Sequence, residues 1–517
     1  MLIAKLRNQL LNIFILLLVI ACDTAVQQAN SPNSILITNA LLIDGTGASA
    51  QSGDIRIEGE LIINLGDLEP IPGETMIDAG GLVLSPGFID THSHHDRGLA
   101  ENRDALPLLS QGITTAVFGL DGSHQYPLSD FFAAYESEPA SINIASYAGH
   151  NTLREHFMTN PFSPQPSDLE LQRMLDALQS ELASGALGLS SGLEYEPGMY
   201  SELEELVILA QISADAGGRY SSHIRSEDRT VYEAIDELLE IGRQTGIPIH
   251  YSHMKLAGQA FWNEAANVKR ILNEARVEGV LITGDIYPYL YWGSTIFVLL
   301  PDRNPDNLAE IEFVLDQLAP ADGIIFTRFE PNPGYVGLSI ADIARLRETS
   351  EVLTMSHLMK EANAWSDANG GQSAEAIMGR SMQEADIAEL MKWEFANITS
   401  DGGFTGHPRG RGAFTRILAR YVRELNVLSL EEAIRKMTSL AAQSLGLDDR
   451  GMLMPGMKAD MVLFNPDTVQ DHATIDEPQL LSSGIEIVWV NGQIVYDNGA
   501  TTGNRSGQVI RRAENPR

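Results

Sequence analysis

Cysteine and basic residues are scarce in this chain of 517 residues. Cys22 is its only cysteine, so no disulfide forms within the chain. No lysine lies between Lys5 and Lys255. Lysine and arginine together number 35 against 69 aspartates and glutamates, which gives a formal net charge of −34. Such a charge repels nucleic acid, and we expect no nucleic-acid partner.

A positively charged and then apolar segment opens the chain. Lys5 and Arg7 precede an apolar run over 10–21. The run is too short to span a bilayer comfortably and is typical of a signal peptide. It leads into Val19-Ile20-Ala21-Cys22, which resembles a bacterial lipobox, the motif whose cysteine is lipidated.

These features predict a lipoprotein signal peptide over 1–22, a lipid anchor on Cys22 and a polar tether over 23–33. The protein would then be exported and held by the lipid alone at the periplasmic face of a bacterial membrane. Lipidation would also leave no thiolate for catalysis or for metal binding. An ordinary signal peptide or a short membrane anchor is the alternative.

Both ends of the remaining chain are rich in strand patterns. Residues 54–58 alternate between polar and apolar side chains, and 459–464 and 486–496 resemble strands in the same way. One small β-sandwich built from both termini accounts for these patterns. Its N-terminal part would cover 34–84, and its C-terminal part with the tail would cover 449–517.

The central region, 85–448, alternates predicted strands with predicted helices. Apolar runs bounded by turn residues predict buried strands at 84–94, 113–120, 142–150, 187–193, 219–225, 247–255, 280–289 and 395–402. Eight strands alternating with helices are typical of a (β/α)8 TIM-like barrel of the α/β class. About a hundred residues separate the last two strands. We therefore expect an insertion after strand seven, at about 293–382, over the barrel mouth.

Metal-binding residue types follow the first predicted strand. His92 and His94 lie on one face of that strand, because side chains alternate with period two. Active sites in this fold form at the carboxyl ends of the strands, where two imidazoles from one strand can bind one metal ion. His95 points the other way and is not expected to be a ligand.

Later strands end in compatible side chains. His223 ends strand five, and His253 ends strand six and lies nearer the rim than His250. Asp401 ends strand eight, where a carboxylate can take a proton from a metal-activated water and give it to a leaving nitrogen. Each of these residues taken alone is compatible with a purely structural role. Four strand ends that all carry metal-binding or proton-transfer side chains, however, predict a metal-dependent hydrolase.

These residues are those of the amidohydrolase superfamily, and the chain most resembles its N-acyl-D-amino acid deacylase (D-aminoacylase) family. The resemblance covers nearly all of the chain after the signal segment. The segments that carry it are Pro86-Gly87-Phe88-Ile89-Asp90-Thr91-His92-Ser93-His94, Ser190-Ser191-Gly192-Leu193-Glu194-Tyr195-Glu196-Pro197, His223-Ile224-Arg225-Ser226-Glu227, Ser252-His253-Met254-Lys255, Asp285-Ile286-Tyr287-Pro288-Tyr289, Gly293-Ser294-Thr295, Ser400-Asp401-Gly402, His407-Pro408-Arg409, Glu432-Ala433-Ile434-Arg435-Lys436-Met437-Thr438 and Asp449-Arg450-Gly451.

The resemblance implies a barrel with a β-sandwich, one or two bound zinc ions, and hydrolysis of an N-acyl-D-amino acid to a carboxylic acid and a free D-amino acid. The partner would be a small-molecule substrate that bears a carboxylate. Asp401 would be the catalytic acid and base. The implied metal ligands are His92, His94, Asp121, His223 and His253. The implied substrate-binding residues, which contact the carboxylate or polarise the scissile carbonyl, are Tyr195, Lys255, Tyr287, Ser294 and Arg409.

The chain departs from the family's pattern in two places. The family often has a cysteine ligand after strand two, where this chain has Asp121 in a Gly-Leu-Asp-Gly turn. Asp121 either binds or bridges zinc in place of the thiolate, or only shapes the turn while water or a carboxylate such as Glu194 completes the site. The segment between Asp401 and Arg409 is also shorter than the family's usual stretch, which changes the substrate pocket.

The missing lysines separate this chain from other members of the superfamily. Hydantoinases and dihydroorotases bridge two metal ions with a carboxylated lysine on strand four, and strand four here, 187–193, has no lysine. On strand five, Arg225 and Glu227 form either a pair that orients His223 or a local salt bridge.

Three functions remain open from the sequence. The first is deacylation of N-acyl-D-amino acids. The second is a dipeptidase that releases a C-terminal D-amino acid from an L-aminoacyl-D-amino acid. The third is a non-catalytic, lipid-anchored binding protein, which the loss of a metal ligand or of Asp401 would favour.

Overall fold

The computed structural model describes residues 34–513, so the predicted signal segment, Cys22 and the tether lie outside the described residues. The strands are β1 (Ser34–Leu42), β2 (Gln51–Glu58), β3 (Leu61–Gly66), β4 (Thr75–Asp78), β5 (Val83–Pro86), β6 (Phe88–Asp90), β7 (Ile113–Phe118), β8 (Asn143–Ser146), β9 (Ala148–Gly149), β10 (Gly188–Gly192), β11 (Arg219–His223), β12 (Ile249–Tyr251), β13 (Ile282–Ile286), β14 (Tyr291–Ser294), β15 (Ile324–Phe329), β16 (Glu375–Arg380), β17 (Ala396–Ile398), β18 (Met461–Phe464), β19 (Ile485–Val490), β20 (Gln493–Asp497) and β21 (Ala500–Thr501). Within this part of the chain, no helix has the length and apolar character needed to cross a membrane.

The helices are α1 (Leu106–Leu109), α2 (Leu128–Ser137), α3 (His150–Phe157), α4 (Asp168–Ala183), α5 (Leu203–Asp215), α6 (Val231–Thr245), α7 (Ala265–Val277), α8 (Leu308–Phe313), α9 (Ile340–Arg347), α10 (Glu351–Ala368), α11 (Glu384–Met391), α12 (Arg409–Arg416), α13 (Leu430–Met437) and α14 (Ser439–Leu445). Two of them continue as π-helix, α8 over Val314–Leu318 and α12 over Ile417–Glu424.

Strands from both ends of the chain form one sheet. Its nine strands comprise β1–β5 from the N-terminal part and β18–β21 from the C-terminal part. The two parts join where β5 pairs antiparallel with β18, with Leu84 opposite Leu463. Ile57 and Trp489 are buried together in an apolar cluster that belongs to this sheet. The small β domain built from both termini is therefore confirmed.

The central strands form a closed parallel barrel. β6, β7 and β8 pair side by side, and β9, β10, β11, β12, β13 and β17 pair in that order, every neighbour parallel. β9 continues the line of β8 after a break at Tyr147. The barrel closes between β6 and β17, where Ser93 forms a parallel bridge with Gly402. The predicted eight-stranded barrel is confirmed.

Local sequence signals define the helices that surround the barrel. α4 begins with a capping box, in which Ser167 and Glu170 bind each other's backbone N–H groups. α6 ends at Gly246, whose φ of 68° is a left-handed conformation that favours glycine. Its buried residues include Ile235, Leu238 and Leu239, a helical spacing that turns one apolar face toward the barrel.

The long segment after β13 is a separate layer. β14, β16 and β15 form an antiparallel sheet in that order. Together with α8, α9 and α10, the sheet encloses its own apolar cluster, which contains Phe326 and Met355. The predicted insertion after strand seven is therefore confirmed, and it packs around a core of its own.

Asp460 joins the terminal sheet to the barrel. Its Oδ2 accepts hydrogen bonds from Arg450 Nη1 at 2.5 Å and from Asn143 Nδ2, in β8, at 3.0 Å. Its Oδ1 accepts from the backbone N–H of Asn491 at 2.7 Å. All four residues are buried, so the carboxylate balances the charge of a guanidinium that water cannot reach.

We expect Asp460→Ala to destabilise the fold strongly, because it leaves the buried Arg450 with only the half-exposed Asp449 as a counter-charge. Breaking such a pair costs about 3–5 kcal/mol, which a shift of the chemical denaturation midpoint would measure. Glu274→Gln is the control, since it breaks the exposed Arg270–Glu274 pair and should change the free energy of unfolding by less than about 0.5 kcal/mol. Equal effects of the two variants would contradict the role of Asp460.

Candidate metal centre

Side chains with metal-binding or proton-transfer chemistry meet at the carboxyl-terminal rim of the barrel. They come from five different barrel strands, so the fold and not the sequence separation brings them together. Their positions are His92 and His94 after β6, Asp121 after β7, His223 at the end of β11, His253 after β12 and Asp401 after β17.

The seam between β6 and β17 sets the first part of the centre. The backbone N–H of Asp401 donates to the carbonyl of His92 at 2.9 Å, and that of His94 donates to the carbonyl of Gly402 at 2.8 Å. As a result, Asp401 Oδ1 lies 3.2 Å from His94 Nε2 and 3.7 Å from His92 Nε2. The predicted base therefore lies beside the first histidine pair.

The turn after β7 is shaped to present Asp121. Asp121 has a φ of 53°, between Gly119 at 72° and Gly122 at 77°, so three of four successive residues are left-handed. A Cβ at Gly122 would lie 2.1 Å from Asn151 Oδ1, which excludes a side chain there. The turn thus has no room for a side chain at Gly122, and it directs Asp121 into the site.

The Asp121 carboxylate contacts both histidine pairs. Oδ2 lies 3.3 Å from His94 Nε2, and Oδ1 lies 3.3 Å from the Nε2 atoms of His92 and His253. His223 Nδ1 is farther away, at 4.0 Å from Oδ1. The possible metal ligands among these residues form two groups, one around His92 and His94 and one around His223 and His253. Asp121 is the acidic side chain that both groups contain.

Carboxylates also hold the second histidine pair from behind. His223 Nδ1 and His253 Nε2 are 3.0 Å apart. The other nitrogen of His223, Nε2, lies 3.0 Å from Glu194 Oε2, and His253 Nδ1 lies 3.0 Å from Glu227 Oε1. A carboxylate on the far nitrogen fixes the orientation of an imidazole and leaves the other nitrogen for a metal ion.

The donor atoms fit bound zinc. His92, His94, Asp121 and Asp401 form one group, and Asp121 with His223 and His253 forms another. Ligands about 2.0–2.1 Å from a tetrahedral zinc ion lie roughly 3.3 Å from one another, and several donor pairs here are 3.2 or 3.3 Å apart. Both ring nitrogens of His92 are buried without a hydrogen-bond partner, as suits a ligand whose partner is a metal ion.

The acidic groups determine the electrostatics of the centre. Burial alone would lower the pKa of His94, but the carboxylates of Asp121 and Asp401 raise it to about 9. Burial likewise opposes ionisation of Asp121, yet the charges of His92 and His253 hold its pKa well below the usual range. The centre is thus built to concentrate positive charge around Asp121.

Two cations lie at the substrate side of the centre, each beside the ring of Tyr287. Lys255 Nζ is 5.7 Å and the Arg409 guanidinium 4.7 Å from the ring centroid. Lys255 also binds Glu227 at 2.7 Å, and Arg409 Nη1 lies 2.6 Å from Asp401 Oδ2. Burial opposes ionisation of Asp401, but the Arg409 charge lowers its pKa below the ordinary value, so Asp401 is ionised.

The remaining predicted substrate residues line the same cleft, which encloses about 600 Å³. The ring centroids of Tyr195 and His223 are 4.4 Å apart. Ser294 lies in β14, and a Cβ on the neighbouring Gly293 would be 3.7 Å from Arg409 Nη2. The structure therefore gathers the predicted substrate-binding residues around the donor groups.

One pairing considered from the sequence is wrong. Arg225 does not bind Glu227; it forms a two-pronged ion pair with Glu237 of α6, with Nε and Nη2 contacts of 2.8–3.2 Å. The reason is geometric. Residues two apart share a face only where the chain is extended, and Glu227 follows the turn after β11 and points toward Lys255. Arg225 thus anchors a helix and does not orient His223.

His250 and His95, which are not expected to bind metal, lie outside the groups of possible metal ligands. His250 Nε2 is 2.8 Å from Asp285 Oδ2. His95 Nδ1 is 2.9 Å from Ser93 Oγ, and burial lowers the pKa of His95 to about 3. Neither ring belongs to a group of possible metal ligands, in line with the expectation that His95 is not a ligand.

Sequence reasoning missed the buried carboxylates behind the centre. Asp90 Oδ1 accepts hydrogen bonds from the backbone N–H of Ser400 and from Thr399 Oγ1, both at 2.8 Å, so it fixes the residues that precede Asp401. Burial raises the pKa of Asp90 to about 6. The sequence does contain a signal for Asp90. Side chains alternate along a strand, so Asp90 lies on the same strand face as His92 and His94.

Comparison with known proteins places this arrangement in a family. The family described as "Amidohydrolase family" matches residues 337–496. Among curated relatives, the N-acyl-D-glutamate deacylase of Alcaligenes xylosoxydans xylosoxydans is 37% identical over 503 residues, which cover 92% of this chain and 96% of that protein. The D-aminoacylase of the same organism is 32% identical over 512 residues, which cover 94% of this chain and 99% of that protein.

A solved structure agrees with these relatives. The N-acyl-D-glutamate deacylase of Bordetella bronchiseptica, determined with zinc and a phosphonate inhibitor that mimics the tetrahedral intermediate, superposes with a TM-score of 0.81. It is 34% identical, and the match covers 92% of this chain and 99% of that one. From the fold, the donor groups and these likenesses together, the chain belongs to the N-acyl-D-amino acid deacylase (D-aminoacylase) family of zinc-dependent amidohydrolases.

Proposed function

We propose that this chain hydrolyses N-acyl-D-amino acids and releases a carboxylic acid and a free D-amino acid. The observation that carries the proposal is the position of Asp121, between two histidine pairs and beside Asp401. A binding protein without catalysis needs no such arrangement, which favours an enzyme. The near full-length likeness to an N-acyl-D-glutamate deacylase supports the same reaction class.

The metal ligands are assigned from the donor groups. His223, His253 and Asp121 would hold one zinc ion, and His92 and His94 would hold a second that shares Asp121. When bound, zinc supplies Lewis acidity that polarises the amide carbonyl and lowers the pKa of a water ligand. Asp121 would serve both positions, because its Oδ1 lies 3.3 Å from the Nε2 atoms of His92 and His253 and its Oδ2 lies 3.3 Å from His94 Nε2.

Asp401 would transfer the proton. Its Oδ1 faces His92 and His94, so the carboxylate is placed to take a proton from the attacking water. The water oxygen forms the new bond to the carbonyl carbon, the C–N bond breaks, and Asp401 gives the proton to the leaving nitrogen. The reaction consumes one water molecule for each amide bond that is cleaved.

The substrate carboxylate would bind between Lys255 and Arg409. Both cations flank Tyr287, and Ser294 lines the same part of the cleft. A guanidinium offers a planar fork that matches a carboxylate. Glu227 and Asp401 keep these buried cations charged and in place, so the carboxylate meets a preformed positive site.

A substrate panel tests the proposed reaction. The zinc-loaded enzyme is assayed with N-acetyl-D-amino acids, the matching L-forms, and L-aminoacyl-D-amino acid dipeptides. We expect turnover of the N-acetyl-D-forms above all. Preferred cleavage of the dipeptides would indicate a dipeptidase, and binding without any turnover would indicate a non-catalytic protein.

Asp401→Asn should lower turnover by about a hundredfold or more, because the amide cannot accept the proton. Zinc content should stay at the parental value, since the histidines and Asp121 remain. Asp367→Asn, the same change at an exposed position, is the control. Near-parental turnover in a zinc-loaded Asp401→Asn variant would remove Asp401 from the mechanism.

Asp121→Asn should lower the zinc retained per chain after dialysis against a weak chelator, because the amide has lost the charge that both histidine pairs share. Asp121→Cys should keep more zinc than Asp121→Asn, since thiolate is an accepted zinc ligand. Asp130→Asn, at an exposed helix position, is the control. Full zinc retention in Asp121→Asn would mean that this residue only shapes its turn.

We also propose that the enzyme is an exported lipoprotein at the periplasmic face of a bacterial membrane. The proposal rests on the Val19-Ile20-Ala21-Cys22 motif and the preceding apolar run, which lie outside the described residues. A hydrolase in that position would meet its substrates outside the cytoplasm.

Cys22→Ser should release the protein from the membrane fraction or block processing of its N-terminal segment, because serine cannot carry the thioether lipid. Fractionation and gel migration of the two proteins measure this. Identical behaviour of variant and parent would contradict the lipid anchor.

A further inference from the structure

The position of the Asp121 carboxylate depends on the backbone of its turn, residues 119–122. The carboxylate lies 3.3 Å from nitrogen atoms of three histidines, His92, His94 and His253. Asp121 has a left-handed φ of 53°, which residues other than glycine adopt at a cost. Such a conformation persists where the surrounding structure imposes it. The contacts that impose it therefore decide where the carboxylate points.

One buried hydroxyl bridges the two ends of that turn. Ser190 Oγ, in β10, donates to the carbonyl of Gly119 at 2.5 Å and accepts from the backbone N–H of Gly122 at 3.3 Å. Gly119 and Gly122 are the first and last residues of the Gly-Leu-Asp-Gly turn. Ser190 is fully buried, so both hydrogen bonds are shielded from bulk water. We name this pair of hydrogen bonds the Ser190 bridge.

The end of β10 also lies against the backbone of Asp121. A Cβ at Gly192 would be 2.2 Å from the carbonyl oxygen of Asp121. Asn151 fixes Gly192 in this place, since its Nδ2 donates to the Gly192 carbonyl at 3.1 Å and its Oδ1 accepts from the Gly192 N–H at 3.4 Å. One strand therefore contacts the turn at both ends, through Ser190, and at Asp121, through Gly192.

Helix α3 gives the turn a second support. The backbone N–H of Thr152 donates to the carbonyl of Gly122 at 3.1 Å, and Thr152 Oγ1 accepts from the N–H of His124 at 3.1 Å. These two contacts hold the chain from Gly122 onward. The Ser190 bridge also holds Gly119, so it is the contact that closes the turn between its first and last residues.

The next serine on the strand faces away from the turn. Ser191 Oγ lies 2.5 Å from Tyr220 OH and 2.9 Å from Ser222 Oγ, both in β11. Side chains alternate along a strand, which separates the two neighbouring hydroxyls. Ser190 and Ser191 are equally buried, and each hydroxyl has two hydrogen-bond partners. The chain thus supplies a matched pair of serines, of which one holds the Asp121 turn.

We propose that Ser190 is a positioning residue for zinc binding, because its hydroxyl closes the turn that presents Asp121 to both histidine pairs. The proposal rests on the zinc ligands proposed above and adds a residue outside the groups of possible metal ligands. Loss of the hydroxyl keeps every ligand in the chain but frees Asp121 to leave its left-handed conformation. A metal ligand has to be held within about 0.5 Å of its productive position, so zinc would bind less tightly.

The zinc affinity of Ser190→Ala tests the proposal, with Ser191→Ala as the matched control. Competition with a chromophoric chelator gives the Kd for zinc without any substrate. Ser190→Ala should raise this Kd about tenfold or more, whereas Ser191→Ala should keep the parental value. Each variant loses one buried hydroxyl, so their melting temperatures should fall by similar amounts. Parental zinc affinity in Ser190→Ala, or an equal loss in both variants, would overturn the proposal.

Ser190→Cys is a second variant in case Ser190→Ala does not fold. The thiol fills the space of the hydroxyl but is only a weak donor and acceptor, so the Ser190 bridge is lost while the strand stays packed. We expect the zinc Kd of Ser190→Cys to rise as in Ser190→Ala. A parental Kd in this variant would contradict the positioning role.

Cobalt in place of zinc reports the ligand geometry directly. The visible absorption of Co²⁺ depends on the number and arrangement of its ligands. We expect the spectrum of cobalt-saturated Ser190→Ala to differ from that of the parent and the spectrum of Ser191→Ala to match it. A loss of stability without movement of Asp121 would leave all three spectra identical, and that result would count against the proposal.

Combination with Asp121→Asn shows whether Ser190 acts through Asp121. The turn of Asp121→Asn presents no charged ligand, so Ser190→Ala should change the zinc Kd far less in that background than in the parent. Coupling of this kind identifies residues that act together. An undiminished effect of Ser190→Ala would mean that Ser190 acts on another ligand, and the proposal would fail.

The zinc measurements separate this proposal from the proposed function. If no N-acyl-D-amino acid is hydrolysed, the deacylase function fails while the zinc Kd values still decide the role of Ser190. If Asp121→Asn keeps the parental Kd, Asp121 is not a ligand, and the ligand assignment and the positioning role fail together. If Asp121→Asn loses zinc but Ser190→Ala does not, the positioning role alone fails.

Discussion

The metal centre depends on the hydrogen-bonded seam between the first and last barrel strands. The N–H of Asp401 donates to the carbonyl of His92, and Asp90 holds the two residues before Asp401 from the opposite strand. A slip of one residue at this seam would turn every side chain of the strand to the other face. Closure of the barrel thus fixes which carboxylate faces the first histidine pair.

The clustering of charge at the rim is stable because each buried charge has a partner. Burial of an isolated ion is unfavourable because the ion loses its hydration. Ion pairs such as Lys255–Glu227 and Arg409–Asp401 offset that loss. The Asp121 carboxylate is likewise the ionic partner of the buried histidines His92, His94 and His253. Because these groups are already oriented, little reorganisation is needed when metal and substrate bind.

The barrel and the insertion have separate tasks and separate cores. Residues of the barrel strands and their loops supply the donor groups, whereas the insertion packs around its own apolar cluster and presents one face of that cluster to the cleft. A change on that face therefore alters the cleft without disturbing the strands that carry the donors. Division of this kind lets one chemistry serve different substrates.

The sequence by itself determined the barrel, the terminal β domain and the insertion, because hydrophobic periodicity and turn residues are local properties. It also identified the candidate donors His92, His94, His223, His253 and Asp401, since each follows an apolar strand and the fold collects strand ends at one rim. These conclusions need only the order of residues and the direction of the strands.

Tertiary structure alone decided how the charges pair. Arg225 binds a helix and not Glu227, Glu227 binds Lys255 and His253, and Asp121 lies between two histidine pairs. Such pairs join residues that are distant in sequence or separated by a turn, and Coulomb and hydrogen-bond energies depend on distances of a few ångströms. Those distances are fixed only when the barrel closes and the loops pack on its rim.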